Sequence, residues 1–236
     1  MFDPQKLLEQ FLSGSKGQTG TPDNQKGGVS PDFVKGFATG GVAGGPAGLL
    51  LGGKKSKKLA KGAVEFGGTA AVAGLAYKAY TAWQESKNAS PAPVEPQPMK
   101  DITPKPEGTP FLPAAAPQRD SMSLAILRAM IAAAKADGHI DGEEQRRIFA
   151  KLDEFDLGME EKAFVIDELR KPLDIDAVVA AATTPELALE IYAASFLAID
   201  PDDPAEQAYL AMLASRLKID PGLRAAVEKE AANTVA

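Results

Sequence analysis

The 236-residue chain carries 22 glycines, 18 prolines, no cysteine and a formal net charge of −6. Without cysteine there is no disulfide, no thiolate metal site and no cysteine nucleophile, which leaves oxygen-ligand metal chemistry as the plausible kind. Charge is unevenly divided: 14 Lys and Arg face 10 Asp and Glu up to Asp120, and 12 face 22 from Ser121 onward. A mildly basic part therefore precedes a strongly acidic one.

The opening MFDPQKLLEQFLSGSKG has neither the charged start nor the apolar run of a cleaved secretory signal. Leu7, Leu8, Phe11 and Leu12 instead fall on one side of a short amphipathic helix. Residues 13–32 are polar and glycine-rich and read as a flexible spacer, so residues 1–33 form one unit of short helix and spacer. Residues 34–85 read as a glycine-rich, membrane-associating segment. Gly36, Gly40, Gly44, Gly48 and Gly52 recur at every fourth position, a stripe that lets helix backbones approach closely in lipid, whereas in water the same composition is a poor helix. Phe66 to Trp83 is the better span, with Lys78 its one charge and Tyr77, Tyr80 and Trp83 at one end as interfacial anchors. Lys54, Lys55, Lys57, Lys58 and Lys61 lie between the two segments and suit anionic headgroups. No aromatics interleave with them, so nucleic acid is not expected as a partner.

Residues 86–120 are proline-rich and read as a disordered linker. From Ser121 to the C-terminus apolar residues take up helical spacing: Leu124, Leu127 and Ile131; Ile148, Leu152 and Phe155; Ala163, Ile166 and Leu169; Leu187, Ile191, Ala194 and Leu197; Leu210, Leu213 and Leu217. A shorter element carries Leu223, Ala226 and Val227, and Asp176 to Ala182 offers one more short helix. The spacing predicts an all-α fold, a compact bundle of about seven helices over 121–236. Helix starts are marked by Asp141 with Glu144, by Asp203, Pro204 and Glu206, and by Thr184-Pro185.

The segment AAAKADGHIDGEE parallels AASFLAIDPDDPAEQ: in both, a small-residue helix ends in an acidic turn and a capped helix begins. LRAMIAAAKADGHIDGEEQRRI and EIYAASFLAIDPDDPAEQAYLAMLASRLKIDPGL resemble the YebE-type inner-membrane proteins, a family of unknown function whose C-terminal region is similar to the tellurite-resistance TerB domain. The resemblance covers most of residues 121–230 and implies a helical TerB-like fold, membrane association and no established catalysis. It also implies divalent-metal binding through the ADG-x-I-x-x-x-E pattern, here Ala136, Asp137, Gly138, Ile140 and Glu144. The second turn lacks the glycine, which puts a symmetrical pair of sites in doubt.

The candidate metal ligands are Asp137, Asp141 and Glu144 in the first turn and Asp200, Asp203 and Glu206 in the second, hard oxygen donors suited to Ca²⁺ or Mg²⁺. The spacing is not that of an EF-hand, and helix capping by Asp141 and Asp203 is the simpler reading of the same acids. The single histidine, His139, lies in the first turn, and Ser195 has no second histidine to serve it, so a Ser-His-Asp hydrolase is not supported. The expectation is a non-catalytic, membrane-tethered binding or scaffold module at the bacterial inner membrane, ion-responsive and linked to envelope or metal stress. Its expected partners are the membrane, an unnamed protein and a second copy through the glycine stripe. The alternatives are a membrane-active glycine-zipper oligomer and a carboxylate-metal hydrolase.

Overall fold

The computed structural model describes residues 2–13, 68–88, 106–136, 157–199 and 204–235. These residues form eight helices: α1 (Pro4–Ser13), α2 (Gly68–Asn88), α3 (Ala116–Ala133), α4 (Met159–Arg170), α5 (Ile175–Ala181), α6 (Pro185–Ala198), α7 (Pro204–Arg216) and α8 (Pro221–Val235). Among them there is no strand, only an isolated bridge between Glu107 and Leu112. The all-α bundle predicted from apolar spacing is the fold that forms.

The central pair is α3 and α6. From Leu187 to Ser195 every residue of α6 is buried, and α3 buries nine residues including Ile126, Leu127, Met130 and Ile131. A helix apolar on all sides belongs in the middle of a protein rather than on its surface. Local signals fix the start of α6: Thr184 is extended and its hydroxyl accepts from the Leu187 amide at 3.1 Å, and Pro185 supplies the helical φ at the first position. In α4 the buried line is Glu161, Val165 and Leu169, not the Ala163, Ile166 and Leu169 line that spacing suggested. Ala163 faces solvent because four-residue steps bring Val165 and Leu169 onto one face of that helix.

The largest departure from expectation is α2, which contains most of the stretch read as a membrane span. Val72, Ala73, Leu75, Ala76 and Ala79 are each no more than 6% exposed and belong to the same core as α3 and α6. Among the described residues, no helix is long and apolar enough to cross a membrane. The small residues of α2 do permit close approach, but to protein: a Cβ on Gly68 would lie 2.4 Å from the Glu9 amide nitrogen of α1. Thr69 and Ser123 share a buried hydroxyl hydrogen bond of 2.6 Å between α2 and α3.

The features read as interfacial anchors are accounted for in the same way. Tyr77 and Tyr80 pack on Phe111 at 5.5 and 5.7 Å between ring centroids. The Trp83 indole donates to Asp220 at 3.2 Å, and Lys78 pairs with Glu230 at 2.5 Å rather than snorkelling. Membrane insertion of this stretch, a membrane partner and an inner-membrane location are therefore corrected. The glycine stripe from Gly36 to Gly52 and the lysine cluster lie outside the described residues. No described residue supports a glycine-zipper or self-association through it, and those expectations are withdrawn with the span.

Phe111 and Leu112 come from the proline-rich stretch, where Thr109 accepts the Leu112 amide in a turn and Gly108 adopts a φ of +78°. That positive φ is one that glycine tolerates without a Cβ penalty. Helix α1 buries Leu7, Leu8, Phe11 and Leu12, and its entry is fixed by the Asp3 side chain accepting from the Gln5 and Lys6 amides. The Asp3 amide in turn donates to Glu161 at the start of α4. Glu161's own backbone amide, with the Asp3 amide second, holds the Glu161 carboxyl below the usual carboxylate range.

Candidate functional site

A groove of about 400 Å³ runs between α3 and α5, closed at one side by the connection from α4. Its shape follows from residue size. Ala125, Arg128, Ile131, Ala132 and Lys135 recur at three- and four-residue steps and so share one face of α3 and its final turn. Opposite them, the seven-residue α5 presents Ala177, Val178 and Ala181. Alanines on both walls leave the space that larger side chains would fill.

The third wall, Lys171 to Asp174, is built by punctuation. Pro172 forces Lys171 out of the helix into extended backbone, with ψ of 147°, and this ends α4. Asp174 then starts α5 by accepting the Ala177 amide at 3.0 Å. Leu173, between them, is 40% exposed at the groove.

Three cations and two acids lie along this apolar trough. Glu168 draws in Arg128 at 3.3 Å and Lys171 at 2.6 Å. Lys135 donates to the Glu168 carbonyl at 3.2 Å and to the Lys171 carbonyl, satisfying the C-terminal end of α4. Partial burial pulls the Lys135 ammonium pKa down, reinforced by the charge of Lys171 and opposed by that of Glu168. The Arg128 guanidinium also covers the Phe164 ring at 5.6 Å. Three cations to two carboxylates leave one positive charge in surplus beside an apolar floor, within an otherwise acidic part of the chain. Such a trough can hold an anion and an aliphatic group together.

Of the six predicted ligands, Asp137, Asp141, Glu144, Asp200 and Asp203 lie outside the described residues, as does His139. Glu206 is described and is buried in the first turn of α7. Among the described residues no three His, Cys, Asp or Glu side chains are grouped to hold a metal ion. Ser195 is buried against α3, its hydroxyl 3.5 Å from the Ala129 carbonyl.

No sequence motif marks Arg128 and Lys135. Their spacing of seven, which carries one helical face past the end of α3 at Ala133, is the signal the sequence holds. Nor does any motif mark Glu190, a fully buried carboxyl in the middle of α6 whose two oxygens have no hydrogen-bond partner among the described residues. Burial, with a smaller contribution from the charge of Glu186, pushes its pKa up to about 9.

Residues 33–231 match the sequence profile of a family described as protein of unknown function, DUF533. The chain belongs to this family. The DUF533 region contains α2 to α7 and most of α8, so the helix corrected above lies inside the family's own domain. A protein of Yersinia enterocolitica described as "Uncharacterized protein in ampR 5'region" is 31% identical over 105 residues, 44% of this chain and 76% of that protein. No solved structure matches. DUF533 membership and the eight helices support the all-α, TerB-like part of the resemblance, while the absence of a spanning helix among the described residues overturns its inner-membrane part.

Proposed function

We propose that the chain is a non-catalytic binding or scaffold module whose ligand-contacting surface is the groove between α3 and α5. The observation that carries this reading is the groove's composition: an apolar trough of about 400 Å³ with a few placed charges. Pockets that bind ligands are of this kind, predominantly apolar with a small number of converging polar groups. The lysine that closes the end of α4 ties the groove's polar edge to the scaffold, so the charges are held in place by helices rather than by a free loop. Responsiveness to divalent ions is a separate element of the reading and rests on the acids of the two turns.

A photo-crosslinking amino acid placed at Leu173, in the cells that make the protein, tests the reading. It should give a discrete adduct. The same group at Met159, 89% exposed at the opposite end of α4, should not. Equal labelling from both positions, or none from Leu173, contradicts a ligand-contacting groove.

A further inference from the structure

We infer that the α3–α5 groove binds a small amphiphilic carboxylate, an anionic head on an aliphatic chain, with Arg128 and Lys135 meeting the head and the alanine-lined trough taking the chain. The inference rests on the binding-module reading above and names its ligand class. Three observations carry it.

The first is donor capacity. A lysine ammonium has three donors, and Lys135 uses two of them on the carbonyls of Glu168 and Lys171. Arg128 has five N–H donors, and among the described residues only its Nε is engaged, with Glu168. Both side chains line the groove, so donors remain at its edge for an added anion. The second is sign. The lining residues hold Arg128, Lys135 and Lys171 against Glu168 and Asp174, and Glu168 already serves two of these cations while Asp174 serves the Ala177 amide. The lining side chains thus carry one more cation than carboxylates, and an added anion offsets that surplus.

The third is size and polarity. Beyond its charged edge the trough is lined by Ala125, Ile131, Ala132, Val178 and Ala181, which offer no hydrogen bond to a polar body. A volume of about 400 Å³ falls in the range of small-molecule sites, and a folded partner would need a far wider face, roughly 800 Å². An aliphatic chain ending in a carboxylate satisfies floor and edge together.

The test is titration of the full chain with octanoate, decanoate, decanol and decyltrimethylammonium below their micellar concentrations, followed by amide NMR shifts. Decanoate should move the amides of Ala132, Lys135, Ala177 and Val178. It should bind about fifteenfold tighter than octanoate, because each of the two extra buried methylenes contributes about a fourfold factor. Decanol and the cationic amphiphile should bind at least about tenfold more weakly than decanoate. Ala177→Phe, at an exposed position that leaves the core untouched, should abolish the shifts, and Lys135→Met should weaken binding about tenfold.

The inference is overturned by absence of decanoate shifts at these amides, by equal affinity for decanol, or by Ala177→Phe binding as the parent does. A specific crosslink from Leu173 alongside any of those results would leave the binding module standing and remove only its ligand class.

Discussion

Replacing Glu190 with glutamine should stabilise the chain at neutral pH and remove most of its loss of stability between about pH 5 and pH 9. In the folded chain the Glu190 carboxyl has a pKa of about 9 against an ordinary 4.5, because burial disfavours the anion and Glu186 adds a like charge. Between those two values the folded state keeps a proton that the unfolded chain releases. Stability is then fully present below the unfolded pKa, declines as pH rises, and levels off above the folded pKa. At 1.36 kcal/mol per unit, the decline reaches about 3 kcal/mol by pH 7.

Glutamine keeps the shape and carries no proton to lose. Glu190→Gln should therefore recover up to about 3 kcal/mol at pH 7, less the cost of burying an amide that lacks partners. Denaturant unfolding of both proteins at pH 5, 7 and 9 reads this directly. Parallel pH profiles for parent and variant would show that Glu190 is ionised in the fold and has a partner.

Gly68→Val should be the most damaging single substitution in α2, and Gly74→Ala in the same helix should be harmless or mildly stabilising. At Gly68 an added Cβ meets backbone atoms of Leu8 and Glu9 at 2.4 to 2.6 Å, and a backbone in a packed helix has no rotamer through which to yield. The expected result is a loss of about 3 kcal/mol, with α1 released and Leu7, Leu8, Phe11 and Leu12 brought into solvent. At Gly74 nothing lies within 4 Å, and the gain in helix propensity is up to about 1 kcal/mol. Thermal melts with proteolysis after Ser13 separate the two outcomes. Equal effects at both glycines would mean that α1 does not pack on α2.

The contrast between these two glycines also shows how much of the fold could be read in advance. Apolar periodicity located α6, α7 and α8, and Thr184-Pro185 marked the start of α6. The register of α4 was less legible, because Ala163 and Val165 are both apolar and only packing decides which is buried. In α2 the near absence of charge and the cluster of Tyr77, Tyr80 and Trp83 signal burial without saying in what. Small residues, tyrosines and a tryptophan suit a protein core and a bilayer equally well, and composition alone does not say which surrounds them.

The candidate site was less legible than the fold. Acids at helix starts form a repeated and visible pattern, whereas the groove arises from what is missing, large side chains on α3 and α5. Arg128 and Lys135 are two cations seven residues apart, on one face of α3 and the turn that follows it. Their meeting with Glu168 and the end of α4 depends on how a helix some 30 residues further along returns to α3, and no local pattern encodes that. Glu190 is hidden for the opposite reason, since a glutamate within ELALEIYAASFLA looks like a surface residue of an amphipathic helix, whereas every residue of α6 from Leu187 to Ser195 is buried.

That α2 is an integral core helix of one all-α body can be read from amide hydrogen exchange of the full chain in lipid-free buffer. The amides from Val72 to Ala79 should be protected to the same degree as those around Ile126 in α3 and Ile191 in α6, and adding phospholipid vesicles should change none of them. Rapid exchange across α2 in buffer, with protection gained only when vesicles are added, would contradict it.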